Sequence, residues 1–66
     1  MMKFLSRKAV CDLVQLSRAE IARRESDNRF PHGVKLGDHD NSRVVYVQEE
    51  VLDWMHEQVC IRDKTR

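Results

Sequence analysis

The sequence is poor in the residues that build loops and large cores. It holds two glycines and one proline in 66 residues. Phe, Leu, Ile, Val and Met together number 20, enough for one thin core. A domain of this size buries only about 60% of the surface its unfolded chain exposes. These limits exclude a second domain and most catalytic architectures, which need a cleft with a lid or a large sheet. No apolar run exceeds a few residues, so no segment is expected to span a bilayer. The charged start, apolar middle and cleavage site of a secretory leader are missing, so secretion is not expected. Cys11 and Cys60 are too few for a disulfide scaffold and match no zinc spacing. They read as two small buried hydrophobes in a reducing cytosol.

Catalytic constellations are also missing. There is no Ser/His/Asp or Cys/His arrangement and no Gly-rich phosphate loop. His32 and His56 stand alone, and Asp38-His39-Asp40 reads as a solvated loop, because three adjacent residues do not converge easily on one ion. No enzyme or metal site is expected.

What the chain does have is charge, and the charge is uneven. The net value is +1, yet residues 1–36 carry eight Lys or Arg against four acids, and residues 37–66 carry four against seven. A basic half and an acidic half point to one face that meets an anion.

The pattern predicts three helices and a hairpin. Val10, Leu13 and Val14 follow Ser6 at helical spacing. Ser6 suits the N-cap, and Leu5 can staple onto Val10, so a helix is expected over about 6–14. Ser17-Arg18-Ala19-Glu20 is a capping box, with Leu16 and Ile21 at the staple positions. This second helix is expected to run to about Asp27, with Asn28 in a left-handed cap and Pro31 forbidding continuation. Two short helices joined by Val14-Gln15-Leu16 form a helix-turn-helix. Val34-Lys35-Leu36 and Arg43-Val44-Val45-Tyr46-Val47 flank a turn-rich stretch and read as a β-hairpin, or wing, with Asp38 and Asp40 at its tip. A last helix is expected from about Gln48 to Ile61, with Val51, Leu52, Met55 and Val59 as its apolar face and Trp54 in the core. Residues 62–66 read as a frayed tail. The fold class is therefore α+β, a small winged helix-turn-helix forming one domain over 1–66 with its core at about 4–61.

The second helix has an unusual composition. Ile21 is its one large apolar residue, whereas Arg18, Ala19, Ala22, Arg23 and Ser26 share a face. Arginines attract anions, and small residues let a backbone approach closely. A helix packed into a core would show a wider apolar stripe. The plainer alternative is a solvated face balanced by Glu20–Arg24 and Glu25–Arg29 pairs.

Taken in order, Phe4-Leu5, Val10/Leu13, Leu16-Ser17-Arg18, Arg29-Phe30-Pro31, Val34-Lys35-Leu36-Gly37 and Val51-Leu52-Asp53-Trp54 resemble the AlpA-type phage regulators. These are small relatives of excisionases and of MerR-like winged-helix domains. The likeness covers roughly positions 4–59. The chain departs from the family at three points. Gln15 stands where a glycine is usual, Ala22 where an aromatic is frequent, and Tyr46 where a tryptophan ends the second wing strand.

The resemblance implies a DNA-binding protein of a prophage or integrative element, acting as a recombination directionality factor (excisionase), a transcriptional regulator, or both. It implies duplex DNA as partner, a tyrosine integrase as a second partner in excision, and no cofactor. It further implies a monomer in solution that assembles cooperatively on DNA, in the bacterial cytoplasm at the nucleoid. On this reading the second helix enters the major groove with its N-terminal residues leading. Arg18 and Arg23 are expected at base edges, where arginine binds guanine bidentately, with Ala19 and Ala22 allowing close approach. Ser17, Arg24 and Lys35 are expected at phosphates, and Arg43 at phosphate or minor groove from the wing. Asp38 and Asp40 at the tip oppose DNA contact. The rival class is a protein-binding module that docks on an integrase or regulator through its acidic last helix without touching DNA.

Overall fold

The computed structural model describes residues 2–37 and 43–64. In chain order the elements are β1 (Phe4–Ser6), α1 (Arg7–Val14), α2 (Arg18–Ser26), β2 (Val34–Lys35), β3 (Val44–Val47) and α3 (Gln48–Lys64). Three helices and an antiparallel β2–β3 hairpin give the winged helix-turn-helix expected from the sequence. The wing tip, with Asp38 and Asp40, lies outside the described residues.

The hairpin is part of a larger sheet than expected. Strand β1 pairs antiparallel with β3, placing Leu5 opposite Tyr46 and Phe4 opposite Val47. The strand order is therefore β1-β3-β2, with β3 in the middle. Three residues are too short for a period-two signal, and β1 exists as a strand because β3 offers it an edge. The Gln48 N–H donates to the Lys3 carbonyl at 2.7 Å, closing this pairing where α3 begins. On the other side the Leu36 N–H donates to the Arg43 carbonyl at 2.9 Å, so the hairpin ladder continues past β2.

Local chemistry sets the helix ends. The Ser6 Oγ accepts from the Ala9 N–H at 3.1 Å, and the Ser17 Oγ accepts from the Glu20 N–H at 3.2 Å. Both caps stand where the sequence put them. The return half of the capping box is not made, because the Glu20 carboxylate turns to Arg23 and Arg24 instead. Asn28 takes the expected left-handed conformation, with φ at 59°. Helix α3 continues through Arg62, Asp63 and Lys64, beyond the expected end at Ile61. Arg62 and Lys64 in its last turn suit the negative end of the helix dipole.

The core is a cluster of Val10, Ile21, Phe30, Tyr46 and Val51, with Leu5, Val14, Leu16, Trp54 and Met55 packed against it. One residue comes from each helix, one from β3 and one from the stretch after α2. The Phe30 ring meets Trp54 edge-on at 4.8 Å and Tyr46 at 6.0 Å. Trp54, expected in the core, sits half-buried at its rim, where its indole N–H donates to the Arg29 carbonyl at 2.7 Å. Buried tryptophans need such a partner. Gly33 follows from the same packing: a Cβ there would lie 2.5 Å from the Val44 Cγ1.

Several apolar expectations are corrected by how far the core reaches. Leu13, Leu52 and Val59 are exposed. Helix α3 extends past the body, so Val51, Trp54 and Met55 pack while later residues do not. Cys60 lies on this exposed stretch and is no buried hydrophobe. Cys11 is half-buried against the core, and both thiols are free.

The turn between α1 and α2 depends on Gln15, which caps α1 in the left-handed region with φ 60° and ψ 39°. Its N–H donates to the Cys11 carbonyl, and its side-chain amide donates to the Asp12 carbonyl at 2.6 Å. A non-glycine residue in this conformation costs about 1–2 kcal/mol, which the surface hydrogen bond offsets only in part. Gln15→Gly is expected to stabilise the protein by about 1 kcal/mol, raising Tm by several degrees. Gln15→Val should lower it. Thermal unfolding followed by the single tryptophan, Trp54, reads both.

Candidate nucleic-acid interface

Helix α2 is anchored by one side and bare on the other. Ile21 is 1% exposed and holds the helix to the core. Arg18, Ala19, Ala22, Arg23 and Ser26 are all exposed. The structure thus brings the predicted face together as a continuous surface that no other element covers. Ser17 stands at its leading end, and its oxygen is used in the cap.

The arginines on α2 are not equivalent. Arg18 is in none of the ion pairs found among the described residues. Arg23 is ion-paired with Glu20 three residues back while remaining 64% exposed. Arg24 lies off the face, at 3.7 Å from the second Glu20 oxygen, and its Nε is buried without a hydrogen-bond partner. The Glu20–Arg24 pair was anticipated. The Glu25–Arg29 pair was not formed. Arg29 bonds Asp27 at 3.2 Å, because Glu25 accepts a hydrogen bond from the Tyr46 hydroxyl across the core.

On the wing, Lys35 pairs with Val44 in register and is exposed, as is Arg43 just before β3. Both stand on the hairpin as predicted, on a different element from the α2 face. Sequence reasoning missed two further cations. Arg7 and Lys8, the first residues of α1, border the same concavity as Arg18, with Cys11 and Val44 completing it. Arg7 and Arg18 also line an adjoining hollow with Ala19, Ala22 and Glu25. The signal was two adjacent basic residues in a helical first turn that holds no acid, an arrangement the helix dipole disfavours.

The link between α2 and the sheet has its own electrostatics. The Tyr46 hydroxyl is pushed up to about 12 from 10.0, first by burial and then by the hydrogen bond to the Glu25 carboxylate and its charge, while Arg7 beside it acts in the opposite sense.

The chain matches the sequence profile of the prophage CP4-57 regulatory protein (AlpA) over residues 3–60. It belongs to the AlpA family. That family comprises phage-related DNA-binding regulators and is not known for enzymes. No curated protein and no solved structure matches the chain. In this chain Tyr46 fills the buried centre of the sheet, and Gln15 takes the left-handed turn. No helix among the described residues is long and apolar enough to cross a membrane.

Tyr46 is the single tyrosine, so its ionisation can be read directly. Its pKa is raised on folding, so its contribution to stability is complete below about pH 10 and is lost as pH rises through about 12. Tyrosinate absorbance in an alkaline titration should appear near pH 12, together with loss of the native Trp54 fluorescence. Ionisation near 10 with the fold intact would show that the hydroxyl is not held in the core.

Proposed function

We propose that this AlpA-family protein reads a specific duplex DNA site on a prophage or integrative element, as an excisionase-type directionality factor or as a transcriptional regulator. The observation that carries this reading is the outer face of α2. It is exposed from Arg18 to Ser26, combines arginine with alanine, and packs against nothing. A helix presenting small residues between cations can approach base edges closely, and α2 follows the helix-turn-helix turn that places a reading helix in the major groove.

In this reading Arg18 and Arg23 bind guanine edges, each worth about 1–3 kcal/mol of discrimination, and Ala19 and Ala22 let the helix sink into the groove. Arg23 must leave Glu20 to do so. Exposed pairs of this kind are worth about 0–1 kcal/mol, so the exchange favours the base. The Ser17 hydroxyl accepts in its cap and keeps its own proton for a phosphate. Lys35 and Arg43 serve phosphates or the minor groove from the wing. Arg24 is the weakest member of the set, because Glu20 holds it away from the face. The protein acts in the cytoplasm at the nucleoid, as a monomer that assembles cooperatively on DNA, with a tyrosine integrase as partner where it directs excision. No cofactor is needed.

The rival reading is a module that docks on an integrase or regulator through α3 alone. What favours it is the exposed, acid-bearing length of α3, which includes Asp53, Glu57 and Asp63. Salt separates the two. Binding through several phosphates falls steeply as salt rises, because condensed counterions are released. Arg23→Ala is expected to erase the preference for the cognate site in a gel shift. Lys35→Ala should weaken binding to all sequences alike and flatten the salt dependence by about one counterion. Normal site binding by Arg23→Ala would overturn the assignment of α2. A salt-insensitive protein complex with no shift of any DNA would favour the rival.

A further inference from the structure

The proposed reading leaves Arg7 and Lys8 without a task. They open α1, and Arg18 opens α2, so two helix starts bring three cations to one concavity with Cys11 and Val44. Through Arg18 this concavity is continuous with the hollow beside Ala19 and Ala22, on the α2 face. None of the three is in an ion pair found among the described residues. The one carboxylate that borders the hollow, Glu25, accepts the Tyr46 hydroxyl and is engaged there.

The electrostatics of α1 do not favour such a cluster. Like charges repel, and cations in the first turn of α1 face the positive end of its dipole. No acid in that turn compensates them. Arg7 is nevertheless half-buried, and it lines the hollow together with Tyr46 and Glu25. The concavity therefore presents one half-buried guanidinium, one ammonium and one further guanidinium at the edge of the reading face.

We propose that Arg7, Lys8 and Arg18 form a seat for a phosphate of the DNA backbone, flanking the groove that α2 enters. This rests on the DNA-binding reading above. Guanidinium groups can grip phosphate oxygens bidentately, and the lysine adds a point charge. Val44 and the Cys11 side chain offer an apolar edge for the adjoining sugar. The seat holds the N-terminal end of α2 at a set height over the groove: Arg7 and Lys8 carry the phosphate, and Arg18, which borders both hollows, joins the seat to the reading face.

The test is Arg7→Gln/Lys8→Gln, measured against the wild type by fluorescence anisotropy with a short random-sequence duplex across a salt series. The expected result is an affinity about tenfold lower, with a log–log salt slope shallower by about 1 to 2. Lys64→Gln on α3 removes one charge far along the exposed helix and should change neither. Trp54 fluorescence checks folding. If the double variant fails to fold, Lys8→Gln alone, at an exposed position, should give about a threefold loss and a slope change of about 1. Wild-type binding that the variant retains with the same affinity and slope would overturn the seat and leave DNA binding standing. No binding of any duplex by the wild type would overturn the DNA reading itself. Inorganic phosphate titrated onto the protein, followed by amide shifts, covers the other source of this chemistry. Saturation of Arg7 and Lys8 by free phosphate, with duplex binding unaffected by the double variant, would assign the seat to that ion and overturn the proposal.

Discussion

The hydrogen bond from Tyr46 to Glu25 joins the two halves of this small protein. Tyr46 occupies the central strand, paired with Leu5 in register and with its ring edge-on to Phe30. Its hydroxyl then crosses to α2. One residue thus pairs through its backbone with the N-terminal strand and reaches through its side chain to the stretch that follows α2 and to α2 itself. A core built on one cluster of five buried residues among those described has little redundancy. In such a core a buried hydroxyl without a partner would cost about 1–3 kcal/mol, so the position of Glu25 on α2 is as constrained as that of any apolar residue. The face of α2 that carries Arg18 and Arg23 is fixed in rotation by Ile21 on one side and Glu25 on the other. The site inherits its geometry from that bond.

Glu20 has an opposite role, because its bonds are local and exchangeable. It receives the N-terminal dipole of α2, pairs with Arg23 and approaches Arg24. A helix with a single apolar anchor and nine residues needs such support, since short helices are marginal alone. The contacts are exposed and weak, so they hold the free helix without fixing Arg23 in place. Stability of the unbound helix and availability of its arginine are compatible because the pair lies in water. Arg24, with its Nε buried, has no such freedom.

Most of the fold could be read from the sequence because its signals are local. Ser6, Ser17 and Asn28 stand at the helix ends where capping chemistry puts them, and the β-branched flanks pair as a wing. The family resemblance carried the arrangement of these pieces. What could not be read depends on distant partners. β1 has three residues and no pattern of its own, and only the edge of β3 makes it a strand. Glu25 looked like a partner for Arg29 at helical spacing, but Tyr46, distant in sequence, wins it because burial strengthens that bond. The α2 face was readable because an uncovered face is a property of composition. Arg7 and Lys8 escaped notice because nothing in one helix reveals that the start of another will lie beside it.

The same distinction explains how a chain of net charge +1 can be suited to a polyanion. Net charge governs attraction at long range, and here it is almost nil. At physiological salt, charges more than about 8 Å apart are largely screened from one another, and this molecule is 45 Å along its longest axis. The groove that holds Glu50, Asp53 and Glu57 shares no lining residue with the concavities around Arg7 and Arg18. Acids on α3 therefore do little to cancel the field at the start of α1 and α2. They lower the net charge and leave a polarised molecule that a polyanion would orient at encounter. Under the proposed reading, sequence preference then rests on the few α2 residues assigned to base edges.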